Sequence, residues 1–121
     1  MADRAIVVWS EIPVSDMARS VEFYNQVFGY EMEIDNSGPN PMATLGGLMN
    51  TAGGHLYPGK PVQDGGNTIH LALPDSLEEG IARCTAAGGE VVSPPIAIPA
   101  GRFAYAKDLD GNSIGLFEAT S

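Results

Sequence analysis

Two side chains near the start of the chain are of types that could do chemistry. In VVWSEIPVSD, residues 7 to 16, Trp9 and Glu11 stand two positions apart. On a β-strand that spacing sends both to one face and Ser10 to the other. A carboxylate beside an indole suits a general base, or an anchor for an amine or hydroxyl, and the indole suits the wall of an apolar pocket. The competing assignments are a core tryptophan packed between sheets and a solvated strand-end carboxylate just before Pro13. The two histidines, His55 and His70, each lie next to apolar residues, where a hydrogen-bonded structural role is the ordinary one. His70, between Ile69 and Leu71, is expected to face a helix. Arg102, one of six basic residues, could pair with an anionic ligand, with Glu11, or with another of the fifteen acids.

The elements that must position these groups follow from hydrophobic spacing. Ala5 to Pro13 reads as a first strand. Met17, Val21, Tyr24 and Phe28 recur at helical spacing behind an N-cap at Ser15 or Asp16, and Gly29 is a natural C-terminal stop, so a helix is predicted over 17–28. YEMEID alternates strictly, which predicts a half-exposed strand with Tyr30, Met32 and Ile34 inward. Two shorter strands are predicted over 42–45 and 48–57, with glycine pairs that suit bulges. PGKPVQDGG, residues 58 to 66, reads as a linker.

The same order then recurs. NTIHLALP is a strand, Ser76 and Glu79 form a capping box, and a second helix ends at Gly88, carrying Cys84 on its apolar face with Leu77 and Ile81. EVVS is a strand, a Pro-rich turn follows, and RFAYAK and SIGLFEA form a hairpin around Asp110 and Gly111. Asp16 to Gly29 and Asp75 to Gly88 each span thirteen residues and each bracket a helix, so the chain carries one plan, β-α-β-β-β, twice. Such a module cannot cover both faces of its sheet alone, so two modules, or two chains, must pack together.

Composition limits the functional classes. A chain of 121 residues supports one domain. A formal charge of −9 without a Lys/Arg cluster repels phosphate backbones, so no nucleic-acid partner is expected. No apolar run reaches the roughly 20 residues of a membrane helix, so no membrane partner is expected either. MADRAIVVW lacks a basic leader and reads as strand. A single cysteine forms no internal disulfide and agrees with a cytoplasmic location. None of the glycine pairs belongs to a phosphate-binding loop.

In order and spacing, IPVSDMARSVEFYNQVFGYE, LPDSLEEGIARCTAAGGEVV and KDLDGNSIGLFE resemble the vicinal oxygen chelate superfamily, the glyoxalase, bleomycin-resistance and extradiol dioxygenase type. The resemblance covers nearly the whole chain. It implies an α+β fold in which two βαβββ modules, about 4–57 and 67–119, form a cupped mixed sheet around a cleft, with a homodimer often completing the site. It also implies positions for metal ligands. The first falls on Trp9, which cannot ligate. The second-module position falls on Ile69, or on Thr68 or His70 if the register slips, and the last falls on Gly115, which has no side chain. The remaining position lies among residues 46 to 54.

On this pattern no metal ligand is assigned and no cofactor is expected; a divalent transition metal held by Glu11, His55 and His70 is the alternative. Glu11 is the candidate catalytic residue. The implied ligand-binding residues are Trp9, Glu11 and Ile69, with Phe103, Tyr105 and Phe117 as the opposite wall. The expected function is binding of a small organic molecule. A lyase, isomerase or dioxygenase with a rearranged site and a structural or regulatory dimer are the alternatives.

Overall fold

The computed structural model describes residues 9–46, 52–62 and 66–119. The first half gives β1 (Trp9–Val14), α1 (Met17–Phe28), β2 (Ala43–Gly46) and β3 (Gly53–Pro58). The second gives β4 (Ile69–Ala72), α2 (Leu77–Ala86), β5 (Glu90–Val91), β6 (Ile96–Ile98), β7 (Gly101–Lys107) and β8 (Ser113–Ala119). Residues 5–8 of the predicted first strand, and 47–51 between β2 and β3, lie outside the described residues.

Both helices form where their local signals place them. Asp16 caps α1 by accepting from the Arg19 N–H, and Gly29 ends it at φ 73°, a left-handed conformation that a side chain would strain. Ser76 caps α2 through the Glu79 N–H and donates its own hydroxyl to the Glu79 carboxylate. Gly80 inside α2 leaves room for Leu73: a Cβ there would lie 2.6 Å from Leu73 Cδ2, so that side chain would have to shift.

The strands make two mixed sheets. In the first, β1 pairs in parallel with β3, which pairs antiparallel with β2. In the second the order is β4-β8-β7-β5, with β4 parallel to β8 and β6 on β7. The fold is α+β with a cupped arrangement of the two sheets around a cleft. The inner faces of both helices and sheets share one core that includes Ile12, Val14, Phe23, Tyr24, Leu56, Leu77, Cys84, Ile114 and Leu116. Burial pushes the Cys84 thiol up to about 11, with the Asp108 charge adding to it, so it is an inert core group.

Two elements differ from the sequence expectation. YEMEID keeps its alternation, with Met32 buried and Glu31 and Glu33 exposed, but among the described residues its only bridge is Asp35 to Met42. The reason is Asn25 on α1: its side-chain amide accepts from the Met32 N–H at 2.8 Å and donates to the Met32 carbonyl at 3.2 Å. That clamp uses the backbone groups a neighbouring strand would need. The Pro-rich turn contains a strand, β6, because Ile96 and Ile98 both find antiparallel partners on β7. Among the described residues no helix is long and apolar enough to cross a membrane.

Polar groups of the second half's hairpin turn hold the halves together. The Tyr24 hydroxyl donates to the buried Asp108 at 2.7 Å, and Asn112 Nδ2 donates to the Pro13 carbonyl at 2.8 Å. Ser15 donates to Asp110. This pinning leaves the free edges of the sheets, β1 and β4, to border one opening.

Candidate functional site

That opening is a cleft of about 890 Å³. Residues 9–13 of β1 form one side; Thr68, Ile69, His70 and residues 112–114 form the other. Trp9 is 43% exposed, which overturns its assignment to the core. Alternation along β1 explains this: Ile12 and Val14 fill the core, so Trp9, Glu11 and Pro13 take the opposite, open face.

The parallel register then sets His55 directly beside Glu11. The Trp9 indole N–H donates to His55 Nδ1 at 2.9 Å, and His55 Nε2 lies 3.4 Å from Glu11 Oε2. His55 is 8% exposed, whereas the Glu11 side chain is 68% exposed. A buried imidazole is therefore held between an indole donor and a carboxylate that reaches into the cleft. Neither residue's type alone revealed this group. The available signal was that a parallel β1–β3 pair must place two same-face residues side by side.

His70 also differs from its expected place. It is exposed and faces away from the helices, because Leu71 turns inward and Gly115 is its direct partner on β8. Its ring covers Gly115 so closely that a Cβ on that residue would meet His70 Nδ1 at 2.0 Å. It lies edge-on to Phe103, ring centroids 4.8 Å apart and planes at 82°, and to Phe117 at 6.0 Å. Tyr105 completes the group.

The candidate residues thus fall into two clusters. Trp9, Glu11 and Ile69 border the cleft, although Ile69 also packs against the core. Phe103, Tyr105 and Phe117 do not line it; they form the aromatic face of the second sheet, joined to the cleft through His70. Arg102 takes no part, being bidentate on Glu78 and bonded to Glu118. Its guanidinium holds the Glu78 carboxyl down to about 2.

Among the described residues the donors required for a transition metal do not assemble. Trp9 offers no lone pair, Gly115 has no side chain, and the His70 ring fills the space above it. His55 Nδ1 is occupied by the indole proton. Glu11 and His55 Nε2 remain as a pair, and among the described residues no group of three His, Cys, Asp or Glu is disposed to hold a metal ion. A protein metal site needs three or four donors, so these residues do not fit the superfamily's metal.

Comparison with known proteins agrees with this architecture. Residues 6–116 match the family model of the Glyoxalase/Bleomycin resistance protein/Dioxygenase superfamily. The protein named "Putative glyoxylase CFP32" of Mycobacterium bovis is 29% identical over 120 residues, covering 92% of this chain; the chain spans 44% of that relative's length. Among solved structures, a member of the same superfamily from Sphaerobacter thermophilus DSM 20745 is 28% identical, with a TM-score of 0.64 over 95% of this chain and 98% of the other. TnmS3, an antibiotic binding protein from Streptomyces sp. CB03234, is 24% identical, with a TM-score of 0.63 over 99% and 100%. With the family model spanning both halves and the paired sheets cupped around one cleft, the chain belongs to the Glyoxalase/Bleomycin resistance protein/Dioxygenase superfamily.

Proposed function

We propose that this protein binds a small organic molecule in the cleft between β1 and β4 without a metal centre. Trp9 is the apolar wall and Glu11 the polar anchor. The observation that carries the reading is the Trp9–His55–Glu11 group: a buried imidazole fixed by an indole stands behind an exposed carboxylate. Trp9, Ile12, Ile69 and Ile114 give the cleft apolar surface among its polar groups, and polar groups fixed beside apolar walls are what small-molecule sites require. TnmS3, with the same fold, is an antibiotic binding protein, which supports a role in holding a ligand. The aromatic face of Phe103, Tyr105 and Phe117 is the surface over which a second copy, as a homodimer, completes the ligand's enclosure. The lone thiol of Cys84 suits a cytoplasmic location.

A second reading has its own support. Glu11 beside His55 is an arrangement that can accept a proton, and the Mycobacterium bovis relative bears the name of a glyoxylase. A Glu11-driven lyase or isomerase would release changed product, whereas a binding protein returns its ligand unchanged. Screening by the fluorescence of Trp9, the only tryptophan, followed by mass analysis of the recovered ligand, separates the two. Glu11→Gln is expected to weaken ligand binding at least about tenfold while leaving thermal stability near that of the wild type. Equal binding by the two proteins would return Glu11 to a solvated strand-end charge.

A further inference from the structure

The hydrogen bonds around the cleft identify the chemistry of the ligand's polar end, given the reading above that the cleft binds a small organic molecule. An indole N–H can only donate. Its bond to His55 Nδ1 therefore requires that nitrogen to present its lone pair, and the imidazole proton sits on Nε2, the nitrogen nearest Glu11. Both imidazole nitrogens are then committed, one to Trp9 and one toward the carboxylate. Glu11, which only accepts, keeps its remaining capacity for the cleft.

Asn112 reaches the same end by the same logic. Its Nδ2 donates to the Pro13 carbonyl at 2.8 Å and to Asp108 Oδ2 at 2.9 Å. A carbonyl and a carboxylate both accept only, so the amide orientation is fixed, both amide protons are used, and Oδ1 is left as an acceptor. Thr68 and Ser113 hydroxyls are bonded to each other. Among the described residues the cleft lining contains Glu11 but no Lys or Arg. A carboxylate or phosphate ligand would meet Glu11 with no compensating cation among these residues, and the chain's charge of −9 attracts cations and repels anions.

We infer that the cleft recognises a cationic nitrogen, an amidinium or ammonium group carried on an apolar body, and that Trp9 enforces this by locking His55 in its Nε2–H tautomer behind Glu11. Trp9 and His55 are thereby positioning residues for the Glu11 anchor.

Benzamidine, benzamide and benzoate have nearly one shape and differ in charge, so titration calorimetry of the three against the full chain at neutral pH tests the assignment. Benzamidine is expected to bind at least about tenfold more tightly than benzamide, and benzoate more weakly than either. In Glu11→Gln the advantage of benzamidine should shrink to within about threefold. Benzoate binding as tightly as benzamidine, or a benzamidine preference that survives in Glu11→Gln, would overturn the inference while leaving a ligand-binding cleft intact. Failure of benzamidine to bind would also overturn it. The tautomer has a readout independent of any ligand. A long-range proton–nitrogen correlation NMR spectrum, with His55 assigned by comparison with His70→Ala, should show a protonated Nε2 and a bare Nδ1. In Trp9→Phe the lock is removed and a mixture should appear; an Nδ1–H tautomer in the wild type refutes the mechanism.

Discussion

Gly115→Ala isolates the contact that sets the aromatic face. A Cβ at residue 115 would stand 2.0 Å from His70 Nδ1, with the next nearest atoms, at 2.6 and 2.7 Å, also in that ring. The backbone itself accepts alanine, since Gly115 is not among the glycines at positive φ. His70 must therefore leave its seat, losing an edge-to-face pair with Phe103 worth about 1 kcal/mol. A displaced ring held off its preferred rotamer costs up to about 1 kcal/mol more. Against this, alanine restricts the unfolded chain and returns about 0.7 kcal/mol. The expected net loss is about 1 kcal/mol, or a Tm lower by about 4 °C for a domain of this size. Thermal and urea unfolding of Gly115→Ala, His70→Ala and the double variant measure it. In the His70→Ala background the alanine should be neutral or slightly stabilising, giving a coupling energy of about 1–2 kcal/mol. An equal loss in both backgrounds would show that the His70 ring does not occupy the space over Gly115.

Two further substitutions follow from buried or paired groups. Tyr24→Phe removes a fully buried donor from Asp108; burial first, then the Asp108 charge, raises the phenol well above its usual value, so it donates at any ordinary pH. A loss of about 2 kcal/mol is expected in urea unfolding, and an unchanged midpoint would contradict the role of that bond in joining the halves. Arg102→Met acts through pH. Its hydrogen bonds depress the Glu78 carboxyl from 4.5 to about 2, and the Leu77 N–H, followed by Arg102, lowers Glu118. This stability is complete above 4.5, where both states are ionised, and is lost as pH falls toward 2, because the unfolded chain takes up the proton first. The wild-type Tm should fall more steeply over that window than the variant's, by a small margin that salt reduces. Parallel profiles would refute the assignment.

Much of this fold was legible because local signals and tertiary packing agree. The four-three-four spacing from Met17 to Phe28 and the stop at Gly29 place α1, and the Ser76–Glu79 box places the start of α2. YEMEID misled because strand alternation says which side chains face inward, not whether the backbone finds a partner; Asn25 supplied a competing one. β6 was hidden by its prolines, though Ile96 and Ile98 lie between them and pair on an edge. At the site, Trp9 and Glu11 were readable as one face. His55 was not, since its role depends on a parallel register that no local residue encodes. That His70 faces away from the helices also follows from alternation and pairing on β4, with Gly115 as its partner. A glycine in a strand was the sign that another group approaches closely there.

In the proposed function the cleft's acceptors serve a ligand directly and not through a metal. Native mass spectrometry measures this most directly, after soaking the full chain in zinc, nickel, iron(II) and manganese salts and exchanging the buffer. The unmetallated mass is expected in every case. One metal per chain, retained by the wild type and lost in both Glu11→Gln and His55→Ala, would contradict it.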